Sequence, residues 1–200
     1  GAVPADGSQL YWYVMEFADP APDEGKILQD GVYGGAGATA ERDGTPPVAS
    51  ATNVSNTPVE AIESEYPLRI HAYEFVGDTG GAGEHRGGPG TVREYEFLQP
   101  TTAQGLNDRF TTPPYGLDGG DDGTGGRAVF TPADGEERSL HSKDEVTAAA
   151  GDRLRLYTAG GGGYGDPAER SGAAVERDLR NGLVSAERAA ERYGFEDPDR

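Results

Sequence analysis

The sequence predicts an α+β fold that is mainly β, with antiparallel strands joined by glycine-rich loops and two short C-terminal helices. Three observations predict it. Apolar and polar residues alternate in several short runs, which is the pattern of half-buried strands. Twenty-two of the 32 glycines lie in four clusters, most of them between those runs. Two helical segments follow the last strand, without the regular strand–helix alternation of a parallel sheet.

The alternating runs predict strands over residues 8–17, 68–76, 91–98, 104–111, 126–131 and 153–158. The second and third runs flank a glycine-dense connection, so we expect them to pair as neighbours. Residues 34–53 contain too many glycines and prolines for a long element and are predicted to form a loop.

A short helix is predicted between the first two strands, over residues 58–65. Thr57 and Glu60 have the spacing of a capping box, and Pro58 would occupy the first helical position. Pro67 disfavours helical backbone in the residue before it, so the helix should end there.

Two helices are predicted near the C-terminus. Asp166 caps and Pro167 opens the first, over residues 168–181, with Gly182 just beyond its end. The second covers residues 185–192. The expected organisation is a β-rich domain, a helical hairpin and a tail: residues 1–165, 166–194 and 195–200.

The charge is strongly acidic. Thirty-five Asp and Glu face 15 Arg and two Lys, which gives a net charge of −18. Because like charges are screened within about 3 Å at 1 M salt, this composition favours a protein from a halophilic organism. An acidic partner-binding surface is the alternative, although the charges are dispersed along the chain. No basic stripe could neutralise phosphates, so nucleic acid is not expected as a partner.

Several function classes are excluded by composition. The absence of cysteine removes disulfides, thiolate nucleophiles and cysteine-based metal sites. No apolar run reaches the 18 or so residues of a membrane span, and no secretory signal opens the chain. A cytoplasmic protein is therefore predicted. The three histidines lack metal-ligand spacing, so no metal ligands are assigned.

The glycine clusters cover residues 31–37, 77–90, 116–126 and 160–165. Such loops can cradle an anion with their N–H groups. The last cluster leads into the helix at Pro167, whose N-terminus could bind an anion. Capping of that helix by Asp166 is an equally good interpretation. No complete catalytic constellation follows from these residues alone.

Ordered blocks of the sequence resemble the hydantoinase B/oxoprolinase family. These are residues 56–63 (NTPVEAIE) with 66–69 (YPLR), 78–83 (DTGGAG) with 86–88 (RGG) and 92–95 (VREY), 108–120, 151–152, 160–167 (GGGGYGDP), 182–185 and 193–194. Thr79 and Ala159 stand where the family usually has Ser and Pro. The resemblance covers only the C-terminal portion of a longer subunit, and the chain begins at Gly1 without Met.

The resemblance implies an ATP-dependent hydrolase that opens cyclic amides such as hydantoin or 5-oxoproline. A hydantoinase A-type subunit would bind ATP and phosphorylate the amide oxygen. The divalent metal would be held by an N-terminal part of the subunit that has no counterpart here. This segment would therefore bind no cofactor itself and would be inactive alone. A non-catalytic module that packs against the A-type subunit, or part of an acetone or acetophenone carboxylase, remains an alternative.

Catalytic residues are not assigned, and the substrate-binding hypothesis rests on charged residues and loops within the matched blocks. Arg69 and Arg86 would orient an anionic intermediate or a substrate carboxylate. Glu60 would hold a substrate-binding side chain in place without contacting the substrate itself. The loops would form a pocket wall through Gly81, Gly83, Gly161, Gly162 and Tyr164.

Overall fold

The structure is a computed structural model that describes residues 4–7, 11–17, 25–47 and 56–195. Its nine strands are β1 Tyr11–Phe17, β2 Lys26–Gly31, β3 Leu68–Val76, β4 Gly90–Phe97, β5 Thr101–Asn107, β6 Arg127–Thr131, β7 Arg138–Leu140, β8 Glu145–Ala148 and β9 Arg153–Tyr157. Its helices are α1 Val59–Glu65, α2 Gly172–Arg180 and α3 Ala186–Tyr193, with a 3₁₀ turn at Pro167–Glu169. The mainly β, α+β class is confirmed.

The strands form two antiparallel sheets, in the orders β2-β1-β5-β8 and β3-β4-β9-β6-β7. The sheets share one hydrophobic core, to which both contribute large side chains: Tyr13, Met15, Phe17 and Leu28 from the first, and Tyr95, Phe97, Phe130, Leu154 and Leu156 from the second. Alternation along each strand explains this arrangement, because every second side chain points into the core. The predicted pairing of β3 with β4 is confirmed.

A buried ion pair joins the two sheets within this core. Arg93 of β4 donates from Nη1 to Asp30 Oδ2 of β2 at 2.7 Å, and both side chains are almost wholly inaccessible. The Tyr95 hydroxyl donates a hydrogen bond to the same carboxylate oxygen. Burial, together with the Asp30 charge, raises the pKa of Tyr95 well above its usual range. Periodicity places Arg93 on the inner face without indicating its partner.

Some observed strands are shifted from the predicted ones, and others were not predicted at all. The strand expected over residues 104–111 is β5, at Thr101–Asn107. It ends there because Arg109 has a positive φ of 59°, which an extended strand cannot contain. Three short strands, β2, β7 and β8, were not predicted, since their few residues carry little alternation. Residues 8–10 of the first predicted strand lie outside the described residues.

Helix α1 lies where it was predicted, but the prediction of a capping box at its N-terminus is wrong. The helix begins at Val59, with Pro58 as the N-cap and no side-chain cap. Thr57 therefore lies one position before the N-cap and does not cap the helix. Its carbonyl oxygen instead accepts a hydrogen bond from Arg93 Nη2 at 3.3 Å. The helix ends at Glu65, before Pro67, as expected.

The single helix predicted over residues 168–181 is split in two. Asp166 caps the 3₁₀ turn, as its Oδ1 accepts from the Ala168 N–H at 2.9 Å. Ser171 then caps α2, because its side chain accepts from Ala174. Gly182 has a φ of 68° just beyond α2, which confirms its predicted position.

Helix α3 begins after Ser185 and ends at Gly194, also as predicted. The two helices pack around a small second core of Val175, Val184 and Ala189. The division of the chain at residues 165 and 194 stays a prediction. No helix among the described residues is long and apolar enough to span a membrane.

Candidate functional site in a glycine-rich bundle

The four glycine clusters converge into one compact bundle beside the sheets. Its segments have neither helical nor strand backbone, and we define the bundle as residues 4–7, 34–45, 79–88, 114–124 and 159–165. Their N–H groups donate to carbonyl oxygens of neighbouring segments, as Gly81 does to Gly161 and Gly161 does to Gly88, both at 2.9 Å. The bundle is therefore held together through its backbone.

Residues 159–165 lie at the centre of the bundle. The N–H groups of Gly161, Gly162 and Gly163 donate to three different segments, at Gly88, Ala5 and Asp121. A Cβ atom added to Gly160 or Gly163 would meet residues 79–82, whereas one on Gly161 would meet Ala36 and one on Gly162 would meet Tyr115. This period of three is the repeat of a polyproline II helix, in which each residue faces a different neighbour.

Close approach explains why these positions are glycine. A Cβ on Gly161 would overlap the carbonyl oxygen of Ala36, far inside the 3.0 Å that real Cβ atoms keep. Gly87 is equally constrained by Gly161. Neither glycine has a positive φ, so the constraint is the space between neighbouring backbones and not an unusual dihedral angle.

A buried charge network covers one flank of the bundle. Arg86, only 5% exposed, donates from Nε to Asp178 of α2 at 3.2 Å. Arg170 donates to the same carboxylate at 2.6 Å and also pairs with both oxygens of Asp43, at 2.7 and 2.9 Å. His85 Nδ1 lies 3.9 Å from Asp43. The network ties the C-terminal helices to the bundle.

The network also sets the ionisation of Asp43. Burial opposes its charge, but the hydrogen bond and charge of Arg170, with the Arg86 N–H, hold the pKa of Asp43 below its ordinary value of 3.8. Sequence reasoning missed Asp43, Arg170 and Asp178. Asp43 and Arg170 are 127 residues apart, so no local pattern could have indicated the contact.

The structure brings together six of the eight predicted substrate-binding residues: Gly81, Gly83, Gly161, Gly162, Arg86 and Tyr164. The four glycines are buried by neighbouring backbone. The Arg86 guanidinium is engaged with Asp178. Tyr164 is partly exposed, and its hydrogen bond to Asp118 raises the pKa of its hydroxyl. The two remaining residues, Glu60 on α1 and Arg69 on β3, are exposed and lie outside the bundle. The substrate-binding role of all eight stays a prediction.

Most N–H groups of the last glycine cluster are not available to an anion. Those of Gly161, Gly162 and Gly163 already donate to carbonyl oxygens, and Asp166 caps the following turn. The capping interpretation of this segment is therefore confirmed. Within the described residues, no group of three or more His, Asp or Glu side chains could hold a metal ion.

Similarity to known proteins defines the class to which this chain belongs. Residues 1–167 match the family model described as Hydantoinase B/oxoprolinase. The chain belongs to the hydantoinase B/oxoprolinase family.

Individual relatives are similar over most of this chain. It is 39% identical over 171 residues to the β subunit of the caprolactamase of Pseudomonas jessenii, covering 82% of this chain and 29% of that protein. It is 32% identical to the B-type subunit of a putative D-/L-hydantoinase from a Pseudomonas species, over 96% of this chain and 31% of that protein. The chain thus spans under a third of the length of these relatives.

Two solved structures share the fold. The crystal structure of ATP-dependent caprolactamase from Pseudomonas jessenii superposes with a TM-score of 0.85 and 29% identity, over 99% of this chain and 36% of that chain. A nucleotide-free acetone carboxylase superposes with a TM-score of 0.80 at 21% identity, over 96% of this chain and 30% of that chain. The second similarity concerns the fold alone.

Proposed function

We propose that this chain is the C-terminal region of a catalytic subunit in an ATP-dependent hydrolase that opens cyclic amides. The observation that carries the proposal is the similarity in sequence to the β subunit of caprolactamase and in fold to the crystal structure of ATP-dependent caprolactamase. A carboxylase of the same family is the second candidate, which the fold of acetone carboxylase favours. We further propose a cytoplasmic location in a salt-adapted organism.

The chemistry of a cyclic amide explains the need for ATP and for a partner. Its carbonyl is a poor electrophile, so we propose that a hydantoinase A-type subunit phosphorylates the amide oxygen and thereby makes the ring carbon reactive enough for water to add. The ring C–N bond then breaks with the nitrogen leaving as an amine, and hydrolysis of the resulting acyl phosphate releases phosphate and the carboxylate. A divalent metal held outside this chain would supply an activated water when bound. This chain would contribute part of the surface that binds the substrate.

Within this proposal, the bundle acts as a rigid scaffold for the residues at its rim. Tyr164 is partly exposed and joined through its backbone to His85 and Leu117, so its hydroxyl would face substrate from a fixed position. Arg86 would act as a positioning residue, since its ion pair with Asp178 fixes the segment that carries Gly81 and Gly83. Arg69 and Glu60 would act on substrate or on the partner from the exposed edge.

The test is reconstitution of the full-length subunit with its ATP-binding partner. We expect ATP-dependent ring opening, which releases an N-carbamoyl amino acid from a hydantoin and an amino acid from 5-oxoproline or a larger lactam. A requirement for bicarbonate and a ketone would identify the carboxylase instead. Stable assembly with the partner, without turnover of any of these substrates, would leave this region as an assembly module and contradict the proposal.

A matched pair of variants tests the site. Tyr164→Phe removes only the hydroxyl, and we expect a rise in KM at unchanged thermal stability if that hydroxyl contacts substrate. Tyr115→Phe is the control, because Tyr115 is an exposed tyrosine of the same bundle. Equal kinetics for the two variants would exclude the role assigned to Tyr164.

A further inference from the structure

The outer face of the second sheet carries a polar pocket that the proposed function does not use. Cross-strand pairing aligns Glu94 of β4 with Arg155 of β9, and Arg127 of β6 with Tyr157 of β9. The pocket has a volume of about 210 Å³. It is lined by Glu94, Arg127, Val129, Thr131, Glu137, Arg153, Arg155 and Tyr157.

The floor of the pocket is a carboxylate neutralised by two arginines. Glu94 is 4% exposed although it faces away from the hydrophobic core. Arg155 donates to it from Nε at 2.7 Å, and Arg153 donates from Nη1 at 3.3 Å. These hydrogen bonds hold both guanidinium groups in fixed directions while nearly half of each side chain stays exposed.

The rim of the pocket holds an arginine with unused donors. The Arg127 guanidinium stacks on the ring of Tyr157, 4.0 Å from its centroid. Within the described residues the guanidinium makes no hydrogen bond or ion pair. Stacking fixes the plane of the guanidinium but occupies none of its five N–H donors. Arg127 is therefore oriented in advance without being paired.

The balance of charge in the pocket is the reverse of that of the whole chain. Three arginines face two carboxylates, Glu94 and Glu137, in a chain whose net charge is −18. Guanidinium groups bind carboxylate and phosphate through two parallel hydrogen bonds. We propose that this pocket binds a small molecule through a carboxylate or phosphate group, held by Arg127 together with Arg153 or Arg155.

Binding to the full-length subunit tests the proposal. Inorganic phosphate and succinate, each titrated calorimetrically at constant KCl, represent the two possible anionic groups. We expect one or both to bind, and Arg127→Gln to weaken that binding about tenfold, the loss of one charge-assisted hydrogen bond. Arg138→Gln is the control, because Arg138 is also exposed and stacks on a ring, that of Phe130, but does not line the pocket.

A second measurement uses the unaltered protein and so does not depend on the folding of a variant. Phenylglyoxal modifies accessible arginines, and the anion that binds should protect Arg127 but not Arg138 when the modified peptides are quantified by mass spectrometry. Protection by phosphate alone identifies a phosphate site, and protection by succinate alone identifies a carboxylate site. If neither anion binds or protects Arg127, or if Arg138→Gln weakens binding as much as Arg127→Gln, the proposal is overturned.

Discussion

The β-sandwich formed by the two sheets and the glycine bundle fill their interiors in opposite ways. The sandwich packs large side chains such as Met15, Phe97 and Leu154 between two sheets. The bundle packs backbone against backbone and leaves no room for a Cβ at positions such as Gly161. A side-chain core tolerates substitutions that conserve volume, whereas a backbone core has no side-chain volume to exchange. The same chain therefore contains one region that can be repacked and one that cannot.

The sharpest test of this difference is Gly161→Ala. The added methyl group overlaps the Ala36 carbonyl oxygen, and the hydrogen-bonded backbone around it cannot move without breaking other contacts. We expect a loss of about 4 kcal/mol or more in the free energy of unfolding, measured by chemical denaturation. Gly25→Ala is the control, because its Cβ would meet only the Phe17 carbonyl oxygen at 3.9 Å. Equal stability of the two variants would contradict the backbone-core interpretation.

The buried pair in the sandwich gives the next largest effect. Asp30→Ala leaves the Arg93 charge buried without its carboxylate, so we expect a loss of about 3–5 kcal/mol. A double variant, Asp30→Leu with Arg93→Met, removes both charges and should recover much of that loss if the sandwich can be repacked. Thermal denaturation of the three proteins measures the recovery. A double variant no more stable than Asp30→Ala would show that this core is as intolerant as the bundle.

Replacing Asp43 tests how much the junction between the bundle and the C-terminal helices contributes to stability. Because its pKa is lowered in the folded state, ionised Asp43 stabilises the protein at pH values above the ordinary value of 3.8. That stabilisation is lost as the pH falls through the lower folded value. Asp43→Asn should cost about 1.5–3 kcal/mol at pH 7, and this difference from the unaltered protein should vanish in acid.

Hydrogen exchange of α2 and α3 locates the effect of Asp43→Asn at the junction. Asp134→Asn is the control, because it removes the same charge from an exposed loop position. An equal loss of stability in both variants would exclude the network as the cause.

Salt should give the smallest effect, and one that concerns the surface of the whole protein. Raising KCl towards 1 M screens the repulsion of a surface with net charge −18. We expect Tm to rise for the unaltered protein, and by a similar amount for Arg138→Gln. Full stability without added salt would contradict the proposal that the protein comes from a salt-adapted organism.

Periodicity predicted most of the strands because alternation is a local property, whereas their packing as two sheets was not predicted. The alternating runs of β3, β4, β6 and β9 matched the observed strands closely, and the helix signals at Ser185 and Gly182 were likewise local. Strands β2, β7 and β8 were missed because three to six residues carry too little pattern. Arg153 and Arg155 alternate with Leu154 and Leu156, a signal that could have indicated a cationic face on β9.

The sequence by itself determined most of the strands, the C-terminal ends of the helices, the family and the positions at which glycine is concentrated, because each is encoded in neighbouring residues. Only the tertiary structure decided what those glycines do. Segments more than a hundred residues apart meet in the bundle, as Ala38 and Gly162 do. The ion pairs of Arg93 with Asp30, 63 residues apart, and of Arg170 with Asp43, 127 residues apart, were likewise decided by the tertiary structure, because the energy of a close backbone approach or a buried ion pair depends on distance in space.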